Sequence, residues 1–422
     1  MLILVINCGS SSLKFQLIDA AKRVRRAWGN IERIGAVSAI ATIQIEKAKR
    51  ERHSLRAGDH DEAMKYVLER LLHEPDSVIS DLSEIGAVGH RVVHGGEGLT
   101  ESVRIDSSVI EAISEAFDLA PLHNPANLKG IEAARKALPD VPHVAVFDTA
   151  FHQTLPPHAY LYALPTRLYR RHKIRRYGFH GTSHYYVSRR LYEIADIDKA
   201  NSRVITCHLG NGASMAAILN GRSIDTSMGL TPLAGLVMGT RCGDIDPSIV
   251  FDLVEKEEMS LTEVHALLNR HSGLLGLSGY ASDMRDVLQQ AQSGDARCQE
   301  AIDVYCYRAK AYFGQYIAVL NGCDAIVFTA GIGENSPNVR ARICAGLENL
   351  GIRLDAHCNR DAVGIEARIS SDDSDVQVWV IPTDEELVIA IDAMTIASAA
   401  QDRKSTRLNS SHMSESRMPS SA

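Results

Sequence analysis

The chain has 422 residues, 45% hydrophobic and 23% charged, the balance of a soluble globular protein. At roughly 100–200 residues per domain, that length predicts two domains, each large enough to bury a core. A formal net charge of −7 argues against a nucleic-acid binder, so an anionic substrate must be held by locally placed basic groups.

The eight cysteines include no CxxC pair, and their spacing fits neither a zinc site nor a small disulfide framework. Reduced thiols in a cytoplasmic protein are the expectation. No apolar run approaches the roughly 18 residues needed to cross a bilayer.

The opening run MLILVI lacks a basic flank and stops at Asn7, too short for a signal segment, so it predicts a buried strand. The polar turn CGSSS and a second strand, LKFQLID, follow. Residues 86–93 and 143–148 are further strand candidates, with a helix between them that has Asn124 as N-cap and Pro125 at its first position. Residues 203–208 form a strand, then LGNG, then ASMAAILNG with an Asn220-Gly221 hairpin signal. A long helix around 297–320, the strand DAIVFTA, a glycine loop GIGEN, another helix, the strand VQVWVI and a helix from about Asp384 complete an α/β pattern. INCGSSSLKFQLID and HLGNGASMAAILNG share one design, a hint of internal duplication. The Ser-rich tail 404–422 has almost no apolar periodicity and is expected to be non-native or disordered.

Three glycine turns each follow an apolar strand: Asn7 to Ser12, Leu209-Gly210-Asn211-Gly212, and Gly331-Ile332-Gly333-Glu334-Asn335. Glycine lets backbone N–H groups approach phosphate oxygens, and serine hydroxyls add donors. Lys14 stands close enough to the first turn to supply a point charge. Any one of these is ordinarily just a tight turn; together they point to a nucleotide. None is a Walker P-loop.

Arg91 and Arg241 sit beside glycines at strand-to-loop transitions, where a guanidinium can stabilise the charge of a transferring phosphoryl group. A surface ion pair is the ordinary alternative for either. His180 is placed at a helix entrance that Thr182 or Ser183 can cap, and with His184 it lacks a third zinc ligand. His90 and His94 read as ordinary packing or hydrogen bonding. Asp148 ends a strand, the usual place for a functional carboxylate in an α/β sheet. The acidic run from Asp384 suits a helix N-terminus electrostatically, yet one carboxylate with Asn7 could help hold Mg²⁺.

The motifs NCGSSSLK, GHRVVHGG, PLHNPAN, VFDTAFH, RRYGFHGTSH, HLGNGAS, DTSMGLTPLAGLVMGTRCGD, FTAGIGEN and PTDEEL together resemble the acetate kinase family, within the superfamily of acetate and sugar kinases, heat-shock ATPases and actin. The resemblance runs from residue 2 to about 402. It implies an α/β protein of two duplicated actin-like ATPase (ribonuclease H-like) domains with a cleft between them. Residues 1–148 with a returning helix 384–402 would form the first domain and residues 149–383 the second, in a homodimer. It implies reversible transfer of the ATP γ-phosphate to acetate, giving acetyl phosphate and ADP, with Mg²⁺ or Mn²⁺ and without nucleic acid or membrane.

By family position, Asn7 and Glu385 would serve the metal and Lys14 the phosphates. His208, Leu209, Gly210, Asn211 and Gly212 would form the phosphate turn. Asp283, Met284 and Arg285, with Gly331, Ile332, Gly333, Glu334 and Asn335, would bind the nucleoside side. Arg91 would hold the substrate carboxylate, while Asp148, His180 and Arg241 would be catalytic. Val93, Leu122, Phe179 and Pro232 would line the methyl pocket, where valine at 93 favours acetate over propionate. A carboxylic acid is already ionised at pH 7, so Asp148 is expected to orient Arg241, the metal or a water instead of acting as a base. The alternatives are a propionate kinase, a sugar or polyol kinase, and a non-enzymatic nucleotide switch.

Overall fold

The computed structural model describes residues 1–46, 48–72, 77–121 and 123–399. Leu122 and the 404–422 tail lie outside the described residues. The chain divides into two compact units, residues 1–150 with the C-terminal helix 385–399, and residues 151–384.

The first unit is built on β1 (Leu2–Gly9), β2 (Ser12–Asp19), β3 (Val24–Glu32), β4 (Ala39–Ile45), β5 (Glu51–Leu55), β6 (Ile85–Val92), β7 (Val103–Arg104) and β8 (His143–Phe147), in the order β5-β4-β3-β2-β1-β6-β8-β7. The second is built on β9 (Arg203–Leu209), β10 (Ala213–Leu219), β11 (Arg222–Thr226), β12 (Ala325–Thr329), β13 (Ala367–Arg368) and β14 (Gln377–Val380), in the order β11-β10-β9-β12-β14-β13. Three antiparallel strands, β3-β2-β1 in one and β11-β10-β9 in the other, are continued by two parallel ones, β6-β8 and β12-β14. One ribonuclease H-like topology therefore occurs twice in the chain.

Continuous apolar runs explain the central strands. All five residues of β8 and all five of β12 are buried, as expected of strands covered on both faces. In the first unit, β1, β6 and β8 run parallel, so their carboxyl ends share one edge of the sheet, the usual location of ligand sites in α/β proteins.

Some local expectations give way to tertiary contacts. Asn124 is not the N-cap: the helix Asn124–Ala137 has His123 there with no side-chain cap, and Pro125 in its first turn. The Asn124 amide instead accepts from the His94 N–H (3.1 Å) and donates to the His94 carbonyl (2.9 Å). The glycine loop GIGEN is a helical turn, Ala330–Asn335. Neither Thr182 nor Ser183 caps its helix, because both lie inside Gly181–Ile194 and His180 occupies the cap position.

The C-terminal helix returns to the first sheet at Gly89 of β6. A methyl group there would lie 2.5 Å from Ile389 Cγ2 and 3.2 Å from the Ile389 carbonyl oxygen, a contact only glycine permits. Gly89→Ala should therefore overpack this seam and destabilise the chain by about 1–3 kcal/mol. The urea midpoint reads the loss; an unchanged midpoint would mean the helix has room at that strand.

Candidate active site

In the first unit, the ends of β6 and β8 bring Arg91 and Asp148 together. Arg91 Nε donates to Asp148 Oδ1 at 3.0 Å and Nη2 to Oδ2 at 2.6 Å, a two-pronged pair around a carboxylate that is almost fully buried. The Asp148 charge raises the pKa of Arg91 further, outweighing the cost of burial. Asp148 thus orients Arg91, where the sequence alone points to Arg241, the metal or a water. Beyond this pair, Asn127 ties two strand ends together, accepting from the Val93 N–H (3.1 Å) and donating to the Cys8 carbonyl (2.7 Å).

Asn7 and Lys14 are cross-strand partners on β1 and β2, and Asn30 and Thr42 continue the same row on β3 and β4. Asn7, Lys14 and Glu386 open onto a cavity of about 760 Å³ that also reaches Trp28, Arg50 and Arg52. Glu385, at the start of the C-terminal helix, has its pKa pushed up to about 7. Burial is the main cause, the charges of Asp148 and Glu386 add to it, and Arg91 and Lys14 oppose it. Carboxyl groups gathered around Glu385 suit a hard divalent cation, and Asn7 offers a neutral oxygen donor on the sheet of the same unit. Val93 is buried. Leu122 lies outside the described residues.

In the second unit, His180 adopts a left-handed backbone (φ 55°, ψ 25°) at the entrance to its helix. Its ring stacks on His208 with centroids 4.0 Å apart, and His208 Nδ1 hydrogen-bonds the Ser183 hydroxyl at 2.8 Å. Gly210 and Gly212 close a tight turn, the Gly210 N–H donating to the Gly212 carbonyl at 3.0 Å, while Leu209 is core. A methyl group on Gly212 would lie 3.3 Å from His180 Nε2 and 3.7 Å from Arg241 Nη1. The missing side chain leaves these two groups facing one small gap.

Arg241 Nη1 donates to the Pro232 carbonyl (2.8 Å) and touches Met238 Sδ (3.6 Å). Among the described residues it has no carboxylate partner, and burial lowers its pKa. Phe179 is buried, and its carbonyl accepts from His152 Nε2.

Gly210, Asn211, Asp283, Met284, Arg285, Gly331, Ile332 and Asn335 line a second cavity of about 580 Å³. Asp283 caps the helix Met284–Gln292 and pairs with Arg285 (2.6 Å). Two residues of the third loop are spent internally. Gly333 packs against Phe328, and Glu334 Oε1 accepts from the N–H groups of Ala330 (2.7 Å) and Thr383 (3.0 Å). Glu334 is therefore a structural clasp and not a group lining the cavity. The sequence reading missed Asn127, Thr206, Ser214 and the role of His184, since each acts through a partner remote in the chain.

The chain was compared with known proteins. The model of the acetokinase family matches residues 2–391. This chain belongs to the acetokinase family. An acetate kinase of Clostridium botulinum (strain 657 / Type Ba4) is 53% identical over 400 residues, covering 94% of this chain and all of that protein. The crystal structure of Porphyromonas gingivalis acetate kinase superposes with a TM-score of 0.91 at 45% identity, over 94% of this chain and 99% of that one. A propionate kinase from Francisella tularensis superposes with a TM-score of 0.87 at 43% identity, over 94% and 99%. As an acetokinase-family member, the chain is an α/β enzyme, and its two sheets share one topology.

Buried neutral histidines make this fold acid-sensitive. Burial pushes the His152 pKa down to about 4 and also lowers His90, His143 and His184. A histidine depressed in the folded state binds its proton more readily when unfolded. Its stabilisation is therefore present near neutrality and lost as pH falls below about 6.5. Glu385, raised, acts in the opposite sense and gains a proton on folding. For His152 the loss reaches about 1 kcal/mol by pH 5.5. The urea midpoint should fall between pH 7.5 and 5.5; a midpoint that rises would contradict the neutral state of these rings.

Proposed function

We propose that this chain transfers the γ-phosphoryl group of ATP reversibly to acetate, giving acetyl phosphate and ADP. The observation that carries the reading is Arg241, a desolvated guanidinium beside the Gly210–Gly212 turn and His180, with no carboxylate to neutralise it among the described residues. Such a charge needs an anion, and a phosphoryl group passing that gap supplies one.

Acetate arrives ionised, since carboxyl pKa values lie near ~4, so one of its oxygens attacks the γ-phosphorus without losing a proton. The new O–P bond forms as the bond to the β–γ bridging oxygen breaks, and ADP leaves with that electron pair. Arg91 has committed Nε and Nη2 to Asp148, which leaves Nη1 to hold the acetate carboxylate. His180 and Arg241 stabilise charge on the transferring group. Lys14 and the turn at His208 to Gly212 hold phosphates, and the 580 Å³ cavity takes the nucleoside. Asn7 and Glu385 would hold Mg²⁺, which when bound neutralises phosphate charge.

We assign the acid carboxylate to Arg91 of the first unit and the nucleoside to the cavity of the second. A homodimer is part of the proposal, supported by the exposed side chains of Phe251, Leu261 and Tyr307 in the second unit. So is a cytoplasmic setting, consistent with eight free cysteines. No helix among the described residues is long and apolar enough to cross a membrane.

Val93 of the first unit would pack on the acetate methyl. Propionate, named for the Francisella tularensis relative, is the second acceptor expected, and the poorer one. A hydroxamate assay with ATP and Mg²⁺ over formate, acetate, propionate and butyrate should give the highest kcat/KM with acetate. ATP binding without acid-dependent turnover would reject the reading. Arg241→Ala should lower kcat at least 100-fold, on the order of losing one charged transition-state contact. Val93→Ala should move the kcat/KM ratio toward propionate by roughly 10-fold, within what one methylene can contribute. A ratio that stays put would remove Val93 from the methyl pocket.

A further inference from the structure

Behind His180, the helix Gly181–Ile194 and strands β9 and β10 enclose a chain of polar side chains. Thr206 Oγ1 lies 2.7 Å from His184 Nδ1, His184 Nε2 lies 2.8 Å from Ser214 Oγ, and Ser214 Oγ lies 2.9 Å from His180 Nδ1. Alternation along β9 turns Thr206 toward this helix, and Ser214 stands opposite His208 on β10. Thr206, His184 and Ser214 are each 0% exposed, so bulk water does not complete their bonding.

With Ser214 donating once and accepting once, the chain can run in only two directions. His184 is neutral, because burial and the nearby His152 and His208 oppose its charging, so one ring nitrogen donates and the other accepts. If His180 Nδ1–H donated to Ser214, then Ser214 would donate to His184, and His184 Nδ1–H would donate to Thr206. That order strands the Thr206 proton, because among the described residues the hydroxyl has no hydrogen-bond partner except His184. A buried donor left unmade is costly, whereas an unused hydroxyl lone pair costs little. The opposite order uses every proton: Thr206 O–H to His184 Nδ1, His184 Nε2–H to Ser214 Oγ, and Ser214 O–H to His180 Nδ1.

We infer that Thr206, His184 and Ser214 are positioning residues that fix His180 as the neutral tautomer carrying its proton on Nε2. Nε2 is the ring atom nearest the Gly212 gap that Arg241 also faces, tied with Cε1 at 3.3 Å from a methyl placed there. The proton is thereby presented where the transferring phosphoryl oxygens would pass, an assignment that rests on the proposed function. A proton on His180 Nδ1, in the other neutral tautomer or in the imidazolium, would have to go to Ser214, which already accepts from His184, and would leave the serine proton unpaired. The relay therefore presents His180 as an uncharged donor, and Arg241 carries the positive charge.

Two-bond ¹H–¹⁵N correlation on the histidine-labelled full-length protein reads the tautomer directly, with His180→Asn identifying the signal. His180 should show a protonated Nε2 and an unprotonated Nδ1. Thr206→Val, which keeps the size and removes the donor, and Ser214→Ala should each give a mixture of tautomers. Both should lower kcat by roughly 10–100-fold, the usual effect of removing a group that orients a functional histidine, with KM for ATP and acetate within about threefold. Thr206→Ser, which restores the hydroxyl, should keep the wild-type tautomer and rate. A protonated Nδ1 in the wild type overturns the inference even if the variants fail to fold. So does an unchanged tautomer or kcat in Ser214→Ala. Loss of acid-dependent turnover in the wild-type chain would instead refute the proposed reaction, and the spectrum would still decide the relay.

Discussion

A guanidinium stays protonated at any pH where this chain is folded, so burying one creates a demand for negative charge or carbonyl oxygen that the structure must meet. The protein meets that demand in two ways. Arg91 is paired two-pronged with the buried Asp148, and its charge is stabilised within the fold. Among the described residues Arg241 is given only a backbone carbonyl and a thioether, and burial works against its charge. A folded protein carries that imbalance only where something compensates, and stored electrostatic strain of this kind concentrates at functional sites. Arg91 is thus anchored within the fold, whereas Arg241 is left open to an anion, as the proposed phosphoryl transfer requires.

The duplicated topology makes this division of labour simple. Each unit places a hairpin next to parallel strands, and the rung near the hairpin turn carries polar groups in pairs. In the first unit Asn7 faces Lys14, oxygen donor beside point charge. In the second His208 faces Ser214, and the serine joins a buried hydrogen-bond chain. The same backbone plan therefore supports two chemistries, because the hairpin fixes which positions meet while the side chains at those positions are free to differ.

Much of the fold was legible because the signals were local. Uninterrupted apolar runs gave β1, β8 and β12, and glycine after a strand marked each of the turns later found at a cavity or gap. The errors were also local rules overridden by distant contacts. Asn124 reads as an N-cap, yet its amide is spent on the His94 backbone, thirty residues away. Glu334 looks like a ligand in a glycine loop, yet it clasps Ala330 and Thr383. Asp148 was legible as a strand-end carboxylate, but its partner Arg91 is 57 residues off and no spacing rule links them. The Thr206–His184–Ser214 series was invisible for the same reason, since it joins a helix to two strands. Hydrogen-bond direction is a property of the assembled set, not of any member.

An acceptor that arrives ionised, as proposed, needs no general base among these carboxylates and histidines. An alcohol acceptor would need a carboxylate free to take its proton, and a carboxylate locked to a guanidinium by two hydrogen bonds is poorly suited to that task. Asp148 is locked in this way, which fits an acceptor that brings its own negative charge. The remaining difficulty is then repulsion between two anions, carboxylate and phosphate. In the proposed reaction, Arg91 on the acid and Arg241 with a neutral His180 on the transferring group would offset it, because such interactions strengthen as the phosphoryl group moves from one oxygen to the other.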